Sequence, residues 1–127
     1  MRKIILFFLS VLVCASVCAN PKYEFRATWL TTGHSIDWPK NKDPKLQQQE
    51  LISKLDVLKA GNMNVACLQV RSFCDALYKS SYEPWAECLT GNRGQGPGYD
   101  PLAFAVEEAH KRGLELHVWV NPLRVTS

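Results

Sequence analysis

Twice in this sequence an Asp-Pro pair opens a stretch of helical periodicity, and each stretch ends at a glycine just ahead of an aliphatic run. Asp43-Pro44 precedes Leu51, Ile52, Leu55 and Leu58, with Gly61 beyond them; Asp100-Pro101 precedes Leu102, Ala105, Val106 and Ala109, with Gly113 beyond. The Asp side chain can cap the first turn, Pro loses nothing at a position whose N–H has no helical partner, and glycine lets the chain leave the helix. Strand-like segments flank these helices at residues 23–32, 64–71 and 114–120, rich in aromatic, β-branched or aliphatic residues. The order is therefore β-α-β-α-β, and right-handed crossovers make the strands parallel.

The connections are unequal in a way that locates function. The two that lead from helix to strand, at Gly61 and Gly113, are short. Those that lead from strand to helix, 33–41 and 72–99, are long and carry the aromatic, Asp and Arg residues. Ligand sites in α/β folds form at the carboxyl ends of the strands, so the site is expected at 33–41, at 72–99 and from Asn121 onward. Side-chain alternation sorts the faces. Ala66, Leu68 and Val70, like Leu114, Leu116, Val118 and Val120, should meet the helices, which turns Gln69, Arg71, His117, Trp119 and Asn121 the other way. In the first strand Arg26, Thr28 and Thr32 form the more polar face. Three parallel strands with two helices leave much of a sheet bare, so the chain reads as a truncated N-terminal β-α-β-α-β part of a (β/α)8 TIM barrel, which takes roughly 250 residues. A three-stranded α/β mini-domain is the alternative.

The first nineteen residues read as an export signal, with Arg2 and Lys3 before an apolar stretch from Ile4 to Val17 and a small-residue cleavage site ending at Ala19. The mature chain is then expected in the periplasm or outside the cell, with no membrane span. Lipid anchoring at Cys14 or Cys18 competes less well, because each follows a Val where a small residue is expected. Removing the signal leaves 13 basic against 12 acidic side chains, and no clustered Lys/Arg to neutralise phosphates, which argues against nucleic acid as a partner. Three cysteines remain: Cys67 in an apolar run, and Cys74 and Cys88 in one long loop where they could pair. No Cys-x-x-Cys or His-x-x-x-His spacing points to a metal, and no cofactor is expected. The run from Gly91 to Gly98 lacks the Gly-Lys-Ser/Thr ending of a phosphate loop.

Nine short runs together carry a family resemblance. They are Phe25-Arg26-Ala27-Thr28-Trp29, Ile36-Asp37-Trp38-Pro39, Gln69-Val70-Arg71, Asp75-Ala76-Leu77-Tyr78, Glu83-Pro84-Trp85, Leu89-Thr90-Gly91, Tyr99-Asp100-Pro101-Leu102-Ala103-Phe104, Glu107-Glu108-Ala109-His110-Lys111-Arg112-Gly113 and Leu116-His117-Val118-Trp119-Val120-Asn121-Pro122. In order and spacing the sequence resembles the N-terminal part of the family 10 glycosylhydrolase-like proteins, a bacterial TIM-barrel family. It departs from that pattern near Ser72, Arg93 and Leu123, where Pro, Gln and Tyr would be expected. The resemblance implies an envelope glycosidase whose partner is a bacterial polysaccharide such as the glycan strands of peptidoglycan. A carbohydrate-binding or envelope scaffold protein that keeps the barrel without the chemistry is the alternative.

Glycoside hydrolysis usually needs two carboxyls. In barrels of this kind they commonly sit on later strands, so the catalytic pair is expected beyond Ser127 and none is assigned here. The substrate-binding candidates are Asp37, Trp38, Arg71, Asp75, Trp119, Asn121 and Arg124. Asp37-Trp38 offers a carboxylate and a sugar-stacking ring, or else an Asx-turn that braces a loop. Arg71 suits ligand contact or orientation of an acid, although Asp75, four residues on, could simply pair with it. Asn121 lies at a strand end beside Trp119, with Arg124 just beyond. Trp85 reads as a lid over the barrel edge and His117 as a hydrogen-bonded core histidine.

Overall fold

A computed structural model describes residues 24–124. The expected export signal, its expected cleavage site and the competing lipidation candidates Cys14 and Cys18 lie outside the described residues. Strands β1 (Ala27–Leu30), β2 (Val65–Arg71) and β3 (Glu115–Val120) form one parallel sheet in that order. Helix α1 (Pro44–Ala60) connects β1 to β2. The longer connection from β2 to β3 holds a single turn, α2 (Glu87–Thr90), in what the sequence presents as loop, and then helix α3 (Pro101–Lys111).

Both Asp caps form. Asp43 Oδ1 accepts from the Lys45 and Leu46 amides at 2.9 and 3.1 Å, and Asp100 Oδ1 from the Ala103 amide at 2.9 Å. The glycine stops differ from one another. Gly113 is left-handed, but Gly61 is not, and Asn62 takes the positive φ at the end of α1 instead. Asn tolerates that region better than most residues, so the turn needs no second glycine. β1 is much shorter than the expected 23–32. Before it, the Arg26 amide donates to the Asn64 side chain, while the Arg26 carbonyl accepts from the Asn64 and Val65 amides; after it, the Thr31 carbonyl accepts from the Asp37 and Trp38 amides of its own loop.

The core lies between one sheet face and the helices. Leu51, Leu55 and Leu58 of α1 and Ala105 and Ala109 of α3 pack with Ala66, Leu68 and Val70 of β2, joined by Leu30, Trp38, Leu77, Leu89 and Leu114. The helix-facing assignment for β2 therefore holds. For β3 it holds only at its start: Val118 and Val120 are 56% and 48% exposed, because α3 reaches Leu114 and Leu116 and no described element covers the rest.

The opposite face is closed by rings. Strands two apart lie about 10 Å from one another, yet the Phe25 and His117 rings are centred 5.7 Å apart and Trp29 meets Trp119 edge-on at 5.1 Å. These side chains lean together across β2 and account for the burial of Val65 and Cys67 beneath them. Two expectations are corrected here. His117 is not a core residue: it is about half exposed on the outer strand, and its Nε2 lies 3.1 Å from Glu115 Oε2. Thr28 pairs with Ala66 and so shares the helix-facing side, which leaves Trp29, beside Cys67, on the other. Cys67, Cys74 and Cys88 are free thiols. No helix among the described residues is long and apolar enough to cross a membrane.

The helices are also tied by charge. The Glu108 carboxylate, 8% exposed, accepts from Lys111 and Arg112 at 2.8 and 2.7 Å, and Arg112 also reaches Asp56 of α1 at 2.6 Å. Its hydrogen bonds to Lys111 and Arg112 hold the Glu108 carboxyl below the usual glutamate range. A carboxyl lowered on folding adds stability that is present above its unfolded pKa and lost as pH falls through the folded value. Glu108→Gln should therefore lower Tm by a few degrees at neutral pH, and thermal melts should show the gap closing as both proteins are acidified below the glutamate range. Trp38 is fully buried and donates its ring N–H to the Gln47 carbonyl at 2.8 Å. Trp38→Ala should cost about 3–5 kcal/mol in urea denaturation, or unfold the chain.

Candidate functional site

The carboxyl end of β1 is held by a side chain from β2. Gln69 Oε1 accepts from the Thr32 and Gly33 amides at 2.9 and 2.8 Å, and Thr32 Oγ1 donates to the Gln69 carbonyl. Gly33 lies close beneath that same oxygen, which would stand 3.4 Å from a Cβ placed there. The chain then turns through His34 and Ser35, both at positive φ. Asp37 closes the turn by accepting from the Thr31 amide at 2.8 Å. Of the two roles open to Asp37-Trp38, bracing is the one observed. Trp38 stacks on no sugar, because its ring is enclosed in the core.

At the ends of β2 and β3 stands a polar cluster centred on Arg71. Its guanidinium donates to Glu83 Oε1 from Nε at 2.6 Å and Nη2 at 2.5 Å, to Cys74 Sγ at 3.1 Å, and to the Asn121 carbonyl. The hydrogen bond to Glu83 raises the already high Arg71 pKa further. Asn121 Oδ1 accepts from the Trp119 indole at 2.8 Å while its amide donates to the Ser72 carbonyl at 3.3 Å. Arg124 lies 4.6 Å above the Phe73 ring, a cation–π distance. The structure thus brings Arg71, Trp119 and Asn121 into one hydrogen-bonded group, with Arg124 stacked on Phe73 next along the loop.

Asp75 stands apart from this group. It does not pair with Arg71; its Oδ1 accepts from the Ser72 and Phe73 amides at 3.2 and 3.0 Å, which fixes the loop around Cys74 and its positive φ. Beside it opens a cavity of about 420 Å³ between the loops that follow β1 and β2, lined by His34, Ser35, Lys42, Phe73, Asp75 and Arg93 among others. Among the described residues, three of the four non-glycine positions at positive φ lie in these two loops. Backbone held in such sparsely populated conformations gathers at sites where geometry must be fixed. Cys88 also lines the cavity, and burial, then the nearby Asp75 charge, push its thiol up to about 12, which keeps it protonated and a poor nucleophile. Trp85 packs over Gly96, where a Cβ would come within 3.0 Å of the indole nitrogen, and so seals the base of the second loop. No group of three or more His, Cys, Asp or Glu side chains that could hold a metal occurs among the described residues.

Sequence reasoning did not single out Glu83, Phe73 or Gln47. Glu83 follows Arg71 by 12 residues of irregular chain, so no periodicity relates the two. Phe73 was legible only as one more loop aromatic. Gln47 lies within the α1 pattern as an ordinary polar position, yet it is fully buried.

The chain is also similar in sequence to known proteins. The glycosyl hydrolase YngK of Bacillus subtilis (strain 168) is 42% identical over 134 aligned residues, covering 98% of this chain and 26% of that protein. The glycosyl hydrolase DigH of Escherichia coli (strain K12) and its counterpart in Shigella flexneri are each 41% identical over 110 residues, covering 80% of this chain and 25% of theirs. The chain spans about a quarter of the length of these curated relatives. The model of the family described as Glycosyl hydrolase-like 10 matches residues 24–127, and the chain belongs to that family.

Proposed function

We propose that these strands and loops form the substrate-binding part of a glycoside hydrolase, built as the opening units of a (β/α)8 barrel and acting outside the cytoplasm on a bacterial envelope polysaccharide such as peptidoglycan strands. The observation that carries this reading is the convergence of Arg71, Glu83, Trp119 and Asn121 where β2 and β3 end. An indole held by Asn121 offers an apolar face to a sugar ring, and the Arg71–Glu83 pair offers fixed donors and acceptors for its hydroxyls. The acid and the nucleophile or base of hydrolysis are then supplied by later strands, and the residues described here bind and orient the glycan.

One observation favours a second reading, a carbohydrate-binding protein without hydrolysis. The carboxyls described at these strand ends serve as acceptors, Glu83 toward Arg71 and Asp75 Oδ1 toward two loop amides, which suits binding a sugar without cleaving it. A single experiment separates the two. Release of reducing ends from purified peptidoglycan strands by the full-length protein, later strands included, supports the enzyme; saturable binding without release by that protein supports the binder.

Within the enzyme reading, Asn121→Ala should lower hydrolysis by two orders of magnitude, roughly 2.7 kcal/mol of transition-state stabilisation, with little change in Tm. Arg71→Ala should lower both activity and Tm, because it strands the Glu83 carboxylate and the Asn121 carbonyl. Full activity in both variants would sink the placement of the site at these strand ends.

A further inference from the structure

We propose that the cavity between the loops after β1 and β2 is a pocket for a single uncharged pyranose ring, with Asp75 accepting its hydroxyls; this rests on the carbohydrate reading above and assigns it a second, separate subsite. The side chain of Asp75 is only 4% exposed. One of its oxygens, Oδ1, is taken by two loop amides, whereas Oδ2 has no partner among the described residues. Every fully enclosed side-chain oxygen among those residues does have a partner, so Oδ2 is not fully enclosed, and the cavity that Asp75 lines is the recess in which a ligand donor can meet it. A carboxylate oxygen left at the floor of a recess calls for a donor, and a sugar hydroxyl supplies one.

The walls select the ligand class. Lys42 and Arg93 face Asp75 and Glu87 around the cavity, so the full charges cancel, which disfavours an anion or a cation and suits a neutral polar molecule. Arg93 Nη2 donates to the Phe73 and Cys74 carbonyls at 3.1 and 2.8 Å, which points its guanidinium across the loop and leaves its Nε and Nη1 hydrogens for a ligand oxygen. The Phe73 ring adds an apolar wall against which the C–H face of a sugar can lie. A volume of about 420 Å³ falls within the range of roughly 300–1,000 Å³ of small-molecule pockets. Arg71, Glu83, Trp119 and Asn121 are not among its lining residues, so the pocket is separate from their cluster.

The test is an amide-shift NMR titration of the full chain with three monosaccharide probes, N-acetylglucosamine, glucose and N-acetylmuramic acid. Saturable shifts at the Ser72, Phe73 and Gly91 amides are expected with the neutral sugars. Asp75→Asn keeps an oxygen for the loop amides and should weaken binding about ten-fold, the loss of one charge-assisted hydrogen bond. Arg93→Ala, at an exposed residue, should weaken it several-fold with an unchanged spectrum elsewhere. Shifts that map instead to Trp119 and Asn121, wild-type affinity in both variants, or a preference for the anionic N-acetylmuramic acid would overturn the proposal. None of the probes contains a bond for a glycosidase to cleave. A full-length protein that binds here yet hydrolyses no glycan therefore supports the pocket and overturns only the glycosidase reading.

Discussion

The buried amide of Gln47 is the interaction on which the rest of the site depends. Its Nε2 donates to the Asn41 and Leu89 carbonyls at 2.8 and 2.6 Å, its Oε1 accepts from the Tyr99 hydroxyl at 3.0 Å, and its backbone carbonyl takes the Trp38 indole. One fully buried side chain on α1 thereby fixes the loop after β1, the short helix α2 and the end of the long loop before α3. Burying an amide without partners would cost a few kcal/mol, so its satisfaction at each position makes the geometry nearly unique. The cavity lies between the two segments it ties together. Lys42, one residue past Asn41, reaches back to the Cys88 carbonyl at 2.7 Å, beside Leu89, and closes the same junction from the solvent side.

Loop geometry and sheet geometry meet at Gln69 and Ser72. Gln69 is on the ring-covered face of β2, yet its side chain spans to the amides after β1 instead of pointing at a ligand. Ser72 shares a hydrogen bond with Thr32 and offers its carbonyl to Asn121, so the ends of all three strands are joined through it. The polar residues at the strand ends are thus of two kinds. Gln47, Gln69, Thr32 and Asp37 hold the loops, while Asp75, Arg93, Trp119 and Asn121 keep part of their surface or bonding capacity toward the open edge. Chemically the two sets look alike, and only the count of satisfied atoms tells them apart.

The two sheet faces obey different physics. On the helix side, aliphatic burial runs through β2 and the start of β3 and ends at the exposed Val118 and Val120. On the other, aromatic rings from β1 and β3 cross over β2, so a thin layer of side chains replaces a covering element. Trp119 takes part in both arrangements: its ring meets Trp29 while its N–H is held by Asn121. A substrate ring approaching Trp119 would meet an indole whose orientation is already set.

What the sequence determined by itself was whatever depends on local chemistry. The two Asp-Pro caps, the apolar stripes of both helices, the parallel order and the longer connections on the strand carboxyl side all follow from short-range propensities and period, and each appears as read. The nine short runs likewise carry the resemblance to the family, because they are local in sequence. What only the tertiary structure decided concerns partners far apart in the chain. Asp37 and Trp38 are adjacent to the site in sequence, but long-range packing against α1 draws Trp38 into the core. Arg71 meets Glu83 and not Asp75, because the loop amides take Asp75 first. His117 follows the strand alternation and still ends exposed, since burial depends on what lies over a face and not on which face a residue occupies. The free Oδ2 of Asp75 has no sequence signature, because an unsatisfied atom is defined by every donor that fails to reach it.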